Sequence, residues 1–444
     1  MTDSRADLGR AIEDIRRHVP HRTYPTLADA NAAVVQRMIE SEPWLVDVVL
    51  AQDVIPQFAG RKLILHAGPP LDWSEMTNPA RGAVFGALMY EGWAEDEAAA
   101  RRQADAGAIE FLPCHDVNAV GPMGGITSPT MAVFVLENRP FGNRAYCTIN
   151  EGTGRVMRFG YYGPDVIERQ RWMRDTLRPV LGAGVRAAGG INLKRIAAEA
   201  LAMGDEFHQR NVAASAIFLR ELAPWLSRVC HDADQLTSVF SFIAQTPQFF
   251  LNLAMAYGKA TVDAARQIRA GSVVTTMARN GVQFGIRLSG TGDRWFTGPV
   301  NTARGVYFSG FTAEDGNPDI GDSTVTETIG WGGIAQAASP GVCKIVGVPS
   351  LADAIRSTEA MRTISIAEHP DFVVPTLDWR GVPIGIDATR VVELEVLPMI
   401  HTGIAHKEPG RGQIGSGTVH PPMQCFTQAV HAYAAQLGEL ALRV

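Results

Sequence analysis

Apolar residues recur at helical spacing over residues 6–18 and 28–40, with Thr26 or Asp29 placed to cap the second helix. After Pro43 the pattern changes. Short apolar runs at 62–65, 109–112, 131–136 and 146–149 predict strands that run into Gly-, Pro- or Asn-containing loops. The Ala- and Glu-rich stretch 78–106 predicts a helix among them. From Pro164, a residue suited to a first helical turn, to about residue 269 the pattern is almost wholly helical. Helices are expected there at 191–202, 205–226 and 233–268. Strand character returns at 272–276 and leads to Asn280-Gly281, a hairpin turn signal, with a return strand at 284–288. Further helices are expected at 322–338, 350–367 and 423–442, and further strands at 344–348 and 391–399. The expected fold class is α/β (α+β). It comprises two α/β domains, 1–160 and 271–444, with a helical domain, 161–270, between them.

Composition narrows the function classes. The 444 residues are 46% hydrophobic and 19% charged, so a disordered chain is excluded. The 44 Gly follow no strict period, which excludes a collagen-like repeat. A net charge of −6 leaves no basic footprint for nucleic acid. No apolar run approaches the ~20 residues of a membrane span. The charged start of the chain is no secretory signal. Five scattered Cys form no disulfide framework, so a reduced, cytoplasmic protein is expected. Of 40 basic residues only Lys62, Lys194, Lys259, Lys344 and Lys407 are lysines. Genomic base composition accounts for that bias; planar anion recognition by Arg is the functional alternative.

Several motifs carry chemistry. The literal GxGxxG at 410–415 lacks a strand just before it and a helix after it, so it is not a dinucleotide fingerprint. It remains a candidate anion loop beside His406 and Lys407. Thr324 and Glu327 have capping-box spacing before an apolar stretch. Arg279 and Arg287 share parity but lie about 26 Å apart along a regular strand, and the hairpin puts them at opposite ends. They cannot both hold one small anion. Cys114-His115-Asp116 stands where a strand ends, followed by Gly121-Pro122-Met123-Gly124-Gly125, which permits a close backbone approach. Asp205, His208 and Asn211 share one face if their segment is helical. Asp315, Asp319 and Asp322 do not match an EF-hand loop, and no HExxH is present, so no metal is expected.

The segments 65–70, 120–123, 150–152, 203–206, 278–281, 319–323 and 403–407 occur in the order seen in the bacterial YahG/YlbE-like family. The chain resembles that family over about residues 28–440. The resemblance implies two α/β domains around a small helical one. One branch of the family is a subunit of oxamate carbamoyltransferase, with two other subunit types, one similar to acyl-CoA synthetases. In that reaction carbamoyl moves between oxalurate and phosphate, giving oxamate and carbamoyl phosphate. The chain departs from the family pattern at His115-Asp116-Val117, often three His, and at Gln209, often Asn.

Carbamoyl transfer needs an oxyanion hole, an anion clamp and proton management. Candidate catalytic residues are His115, His208, Cys114 and Glu206. Candidate substrate contacts are Asn150, Glu151, Asn211, Arg279, Asn280, Ser323, Thr324, His406 and Lys407. No cofactor is expected. The partners expected are a small anionic substrate and either further copies of the chain or other subunits of a hetero-complex. The altered histidine cluster motivates an alternative, a stand-alone amidohydrolase or lyase acting on an imide or ureide. A non-catalytic binding subunit is the third reading, because no complete set of nucleophile, base and orienter can be named from sequence.

Overall fold

The structure is a computed structural model that describes residues 5–18, 23–152 and 154–441. Helices and several small sheets alternate, giving the expected mixed α/β class. The largest sheet has the order Ala119–Val120, Arg144–Thr148, Ala132–Asn138, Pro43–Leu50, Ile191–Asn192. Its first pair is parallel and the others antiparallel. A four-stranded antiparallel sheet runs Phe296–Pro299, Gln283–Leu288, Val274–Asn280, Ile320–Gly321. Three strands, Arg304–Tyr307, Gln413–Val419 and Ile400–Ala405, form another. Leu63–His66 pairs in parallel with Glu110–Pro113.

The helix Phe249–Arg266 is buried along every residue except Arg266. A helix buried on all sides has no solvent face to offer, so it becomes the centre of the packing. It lies against the large sheet, the helix Leu27–Glu40 and the turn at 325–328. Gly258 permits that last contact, since a Cβ there would stand 3.0 Å from the Val325 carbonyl. One hydrophobic core joins residues of 34–38 to others as far along the chain as Ile384. A second joins the first helix to the closing one: Ile12 and Ile15 pack with Phe426 and Val430.

The helix Leu27–Glu40 is capped by Thr26 and Asp29 together, as a capping box. The hairpin at Asn280-Gly281 also forms: Gly281 has φ +89°, and the Asn280 side chain accepts from the Val282 and Gln283 N–H groups. Other elements differ from expectation. Pro43–Leu50 is a strand, with Pro at its first position, where no ladder donor is needed, and a bulge at Leu45/Asp47. The expected helix 78–106 is two, Asn78–Tyr90 and Glu97–Asp105, broken at Gly92 with φ +70°. Residues 344–348 are not a strand; Pro340–Val346 is a helix stopped by Gly347. Residues 391–399 are not a strand either: Asp387 caps the helix Ala388–Leu394, and the strand begins at Ile400. The helix expected over 350–367 ends at Thr363, and Ser365–Val374 pairs as a strand with Arg380–Ile386.

Candidate functional site

Three glycine loops close on one carboxylate. Asp322 follows the strand Ile320–Gly321, and its Oδ1 accepts from the Gly68 N–H at 2.8 Å while Oδ2 accepts from the Gly121 N–H at 3.0 Å. Gly321 has φ +128°, and a Cβ there would meet the Met123 nitrogen at 2.6 Å. A Cβ on Gly68, φ +81°, would meet the Arg279 and Asn280 backbone at 2.5 Å. Burial pushes the Asp322 carboxyl up to about 7, against the pull of the two N–H groups and Arg279.

His115 stands beside it, with Nε2 3.5 Å from Asp322 Oδ1. The imidazole is buried, and neither ring nitrogen has a hydrogen-bond partner. Burial, then the charges of Lys259, Arg287 and Arg266, hold it well below the usual histidine range. A neutral imidazole thus faces a carboxyl that titrates near neutrality, an arrangement suited to passing a proton. Cys114 is adjacent in sequence, but its thiol donates to the Gly125 carbonyl at 3.1 Å. Burial and the Asp322 charge push that thiol well up, the reverse of nucleophile activation.

Arg279 is fully buried and clamps the loops rather than offering a free fork. Its Nε donates to Asp319 at 2.7 Å, Nη1 to the Gly321 carbonyl and Ser323, and Nη2 to Thr402 at 3.0 Å. Asn280 donates to the Pro69 carbonyl, and Thr324 to the Met277 carbonyl. Arg287 pairs with Asp116 and lies 4.0 Å from the Trp295 ring. The two arginines serve different partners, as their spacing requires.

A second buried polar cluster shares the segment 322–327. The helix expected at 322–338 is instead a short turn, Val325–Thr328, a break at Gly330 with φ +90°, and 3-10 turns over Gly332–Ala338. Its capping box does not form. Glu327 accepts from His208 Nδ1 at 2.7 Å and from the Gly333 and His401 N–H groups at 2.9 and 3.1 Å. Burial would raise this carboxyl, but His208 and those donors together hold it below the usual range. Glu206 accepts from the Gln209 and Arg210 N–H groups and meets His401 Nδ1 at 3.0 Å. His401 Nε2 lies 2.9 Å from Gln336.

The segment holding Asp205, His208 and Asn211 is not helical, so these residues do not share a helix face; the helix starts at Val212. The Asp205 carboxyl turns back to the Ala214 N–H and is pushed by burial up to about 6. Neither amide atom of the buried Asn211 is hydrogen-bonded.

Asn150 and Glu151 form a third group. Asn150 bridges Asn252 and Arg158, and Glu151 accepts from the Met157 and Arg158 N–H groups. With Gly125, Gln170 and Asn252, Glu151 lines a small cavity of about 10 Å³, room for one water. His406 and Lys407 lie apart from Asp322: His406 Nδ1 accepts from the Glu408 N–H, and Lys407 donates to the Glu314 carbonyl. The 410–415 glycine motif is the connection and first residues of a hairpin between Ile400–Ala405 and Gln413–Val419.

Larger clefts lie elsewhere, among them two of about 610 and 730 Å³. The first includes Glu97, Tyr161 and Glu168, the second Arg294, Trp295 and Gln428. Trp295 is the link, because its ring packs edge-on to His115 at 5.9 Å. Among the described residues no group of three His, Cys, Asp or Glu is placed to hold a metal. Among those residues no helix is long and apolar enough to cross a membrane. Sequence reasoning did not single out His401, Gln336 or Lys259. A histidine five residues before His406, directly after the apolar Met399-Ile400, was the one available signal.

A family model for the oxamate carbamoyltransferase subunit AllG matches residues 109–323, a stretch that includes His115, His208, Arg279 and Asp322. Oxamate carbamoyltransferase subunit AllG of Escherichia coli (strain K12) is 52% identical over 416 residues, 94% of this chain and 99% of that protein. The chain belongs to the AllG/YahG family. The YahG member, an uncharacterized protein of the same organism, is 42% identical over 412 residues, 93% of this chain and 87% of its own length. The crystal structure of a conserved protein of unknown function from Enterococcus faecalis V583 superposes with a TM-score of 0.91. It is 42% identical and covers 93% of this chain and 99% of its own.

Proposed function

We propose that the chain is a subunit of a carbamoyl-transferring enzyme that acts on a small ureide or amide anion of the oxalurate and oxamate class, with phosphate as the second substrate. The end-to-end identity of 52% to an oxamate carbamoyltransferase subunit carries this reading. In the direction from oxalurate, a phosphate oxygen forms a bond to the ureido carbonyl carbon. The bond from that carbon to the oxamoyl nitrogen breaks, and the nitrogen takes a proton as oxamate leaves. The His115–Asp322 pair is suited to that proton, since one group is neutral and the other titrates to about 7. The Gly68 and Gly121 N–H groups, now on Asp322, are donors of the kind an oxyanion needs.

The test is co-expression with candidate partner subunits of an oxamate carbamoyltransferase, followed by assay for carbamoyl phosphate from oxalurate and phosphate. Release of carbamoyl phosphate, lost in His115→Gln, is the expected result. Absence of turnover with a panel of ureides would overturn the reading. Full burial of His115, Asp322 and Glu327 favours a second reading, a non-catalytic subunit that completes a site on a partner. An assembled complex whose activity survives His115→Gln and Asp322→Asn would select it.

A further inference from the structure

Carbamoyl transfer through His115 and Asp322 leaves a fully buried lysine unused. Lys259 lies on the central helix Phe249–Arg266, in a chain with only five lysines. Its Nζ donates to the backbone carbonyl of His115 at 3.0 Å and to Asp263 Oδ1 at 2.8 Å. Asp263 also meets Arg266 at 3.3 Å, and Arg266 pairs with the exposed Asp293. A line of alternating charge therefore runs from the surface to the back of the Cys114–Val117 turn.

We propose that Lys259 is a positioning residue for His115, gripping the backbone of that turn from the central helix so that the imidazole is held against Asp322. Burying an ammonium is costly, and a purely structural contact to one carbonyl is met as well by a neutral donor. Lys259 carries that cost: burial lowers its own pKa, opposed by Asp263. What an ammonium adds is charge. The groups facing the imidazole are Lys259 and Arg266 from the central helix, and Arg287 from the hairpin, which pairs with Asp116 of the turn that carries His115. Asp322 faces it from the 320–323 turn, and the thiol of Cys114 precedes it. Among the cations Lys259 opposes protonation most. Lys259 thus does two things to the ring beside Asp322: it fixes the turn that carries it and keeps it uncharged. This rests on the proposed function only in what the ring is used for.

The test reads the ring directly in the isolated full chain. Histidine-labelled protein is titrated by NMR, with the His115 signal assigned from His115→Gln. In wild type the His115 ring stays unprotonated to well below the usual histidine range. In Lys259→Met its midpoint rises by about one pH unit or more. Lys259→Gln keeps a neutral donor for both acceptors, so it decides the matter should the Met variant fail to fold. It gives the same upward shift. An unchanged His115 titration in the folded variant or variants overturns the proposal. With the assembled complex, the acidic limb of the kcat/KM profile moves by the same amount. A complex with no carbamoyl transfer in wild type refutes the proposed function, while the NMR titration still decides the role of Lys259.

Discussion

At the residue scale, the energetics concentrate in a few buried ionisable groups. Asp322 titrates near 7 when folded and near 3.8 when free. The folded state therefore holds its proton where the unfolded chain has lost it. The stability this supplies is complete below about pH 4 and is lost as pH rises to about 7, on the order of 4 kcal/mol across the window. Urea unfolding of wild type and Asp322→Asn at several pH values checks this. The stability difference between the two should change over pH 4–7 and level off above it; a flat difference refutes the shifted titration. Arg279 makes a different prediction. Arg279→Met leaves Asp319 buried without its cation, which costs about 3–5 kcal/mol. Arg279→Lys recovers only part, because one ammonium cannot reach Asp319, Gly321, Ser323 and Thr402 together. Tm of the two variants measures both. The sequence marked Arg279 and His115 as special, but their roles came from partners 40 or more residues away: Asp319 and Asp322.

At the scale of elements, local chemistry held where the signal was local. The Thr26/Asp29 box and the Asn280-Gly281 turn formed because their hydrogen bonds close within four residues. The Thr324/Glu327 box did not form, since His208 and the His401 N–H compete for the same carboxylate. A buried cluster outweighs a single cap, which is worth only about 1 kcal/mol. The segments at 344–348 and 391–399 were misread because short apolar runs suit strand or helix equally. Gly321 yields an element-scale prediction. Gly321→Ala places a Cβ 2.6 Å from the Met123 nitrogen at φ +128°. The loops at 121–125 and 320–323 then separate, and Tm falls clearly. Gly310→Ala, at φ +90° with open space around it, is the control and costs only backbone strain.

At the scale of the whole molecule, the central helix is the common support. Phe249 and Tyr257 are buried on it, and truncating either to Ala costs about 3–5 kcal/mol. Because that helix contacts the large sheet, the helix Leu27–Glu40 and the 325–328 turn, both variants should broaden hydrogen exchange far beyond their own turns. Protection lost only locally would show the packing to be modular. The mixed α/β class, the helical middle stretch, the main hairpin and the polar loops were all determined by the sequence itself. Periodicity, turn residues and caps act over a few positions and can be read there. Tertiary structure alone decided that loops near 68, 121 and 322 share one carboxylate, that Glu327 serves His208, and that Lys259 stands behind His115. These contacts join residues more than 50 positions apart. Their strength comes from shared burial, which raises the worth of each hydrogen bond and the cost of each unpaired charge, and burial is a property of the folded whole.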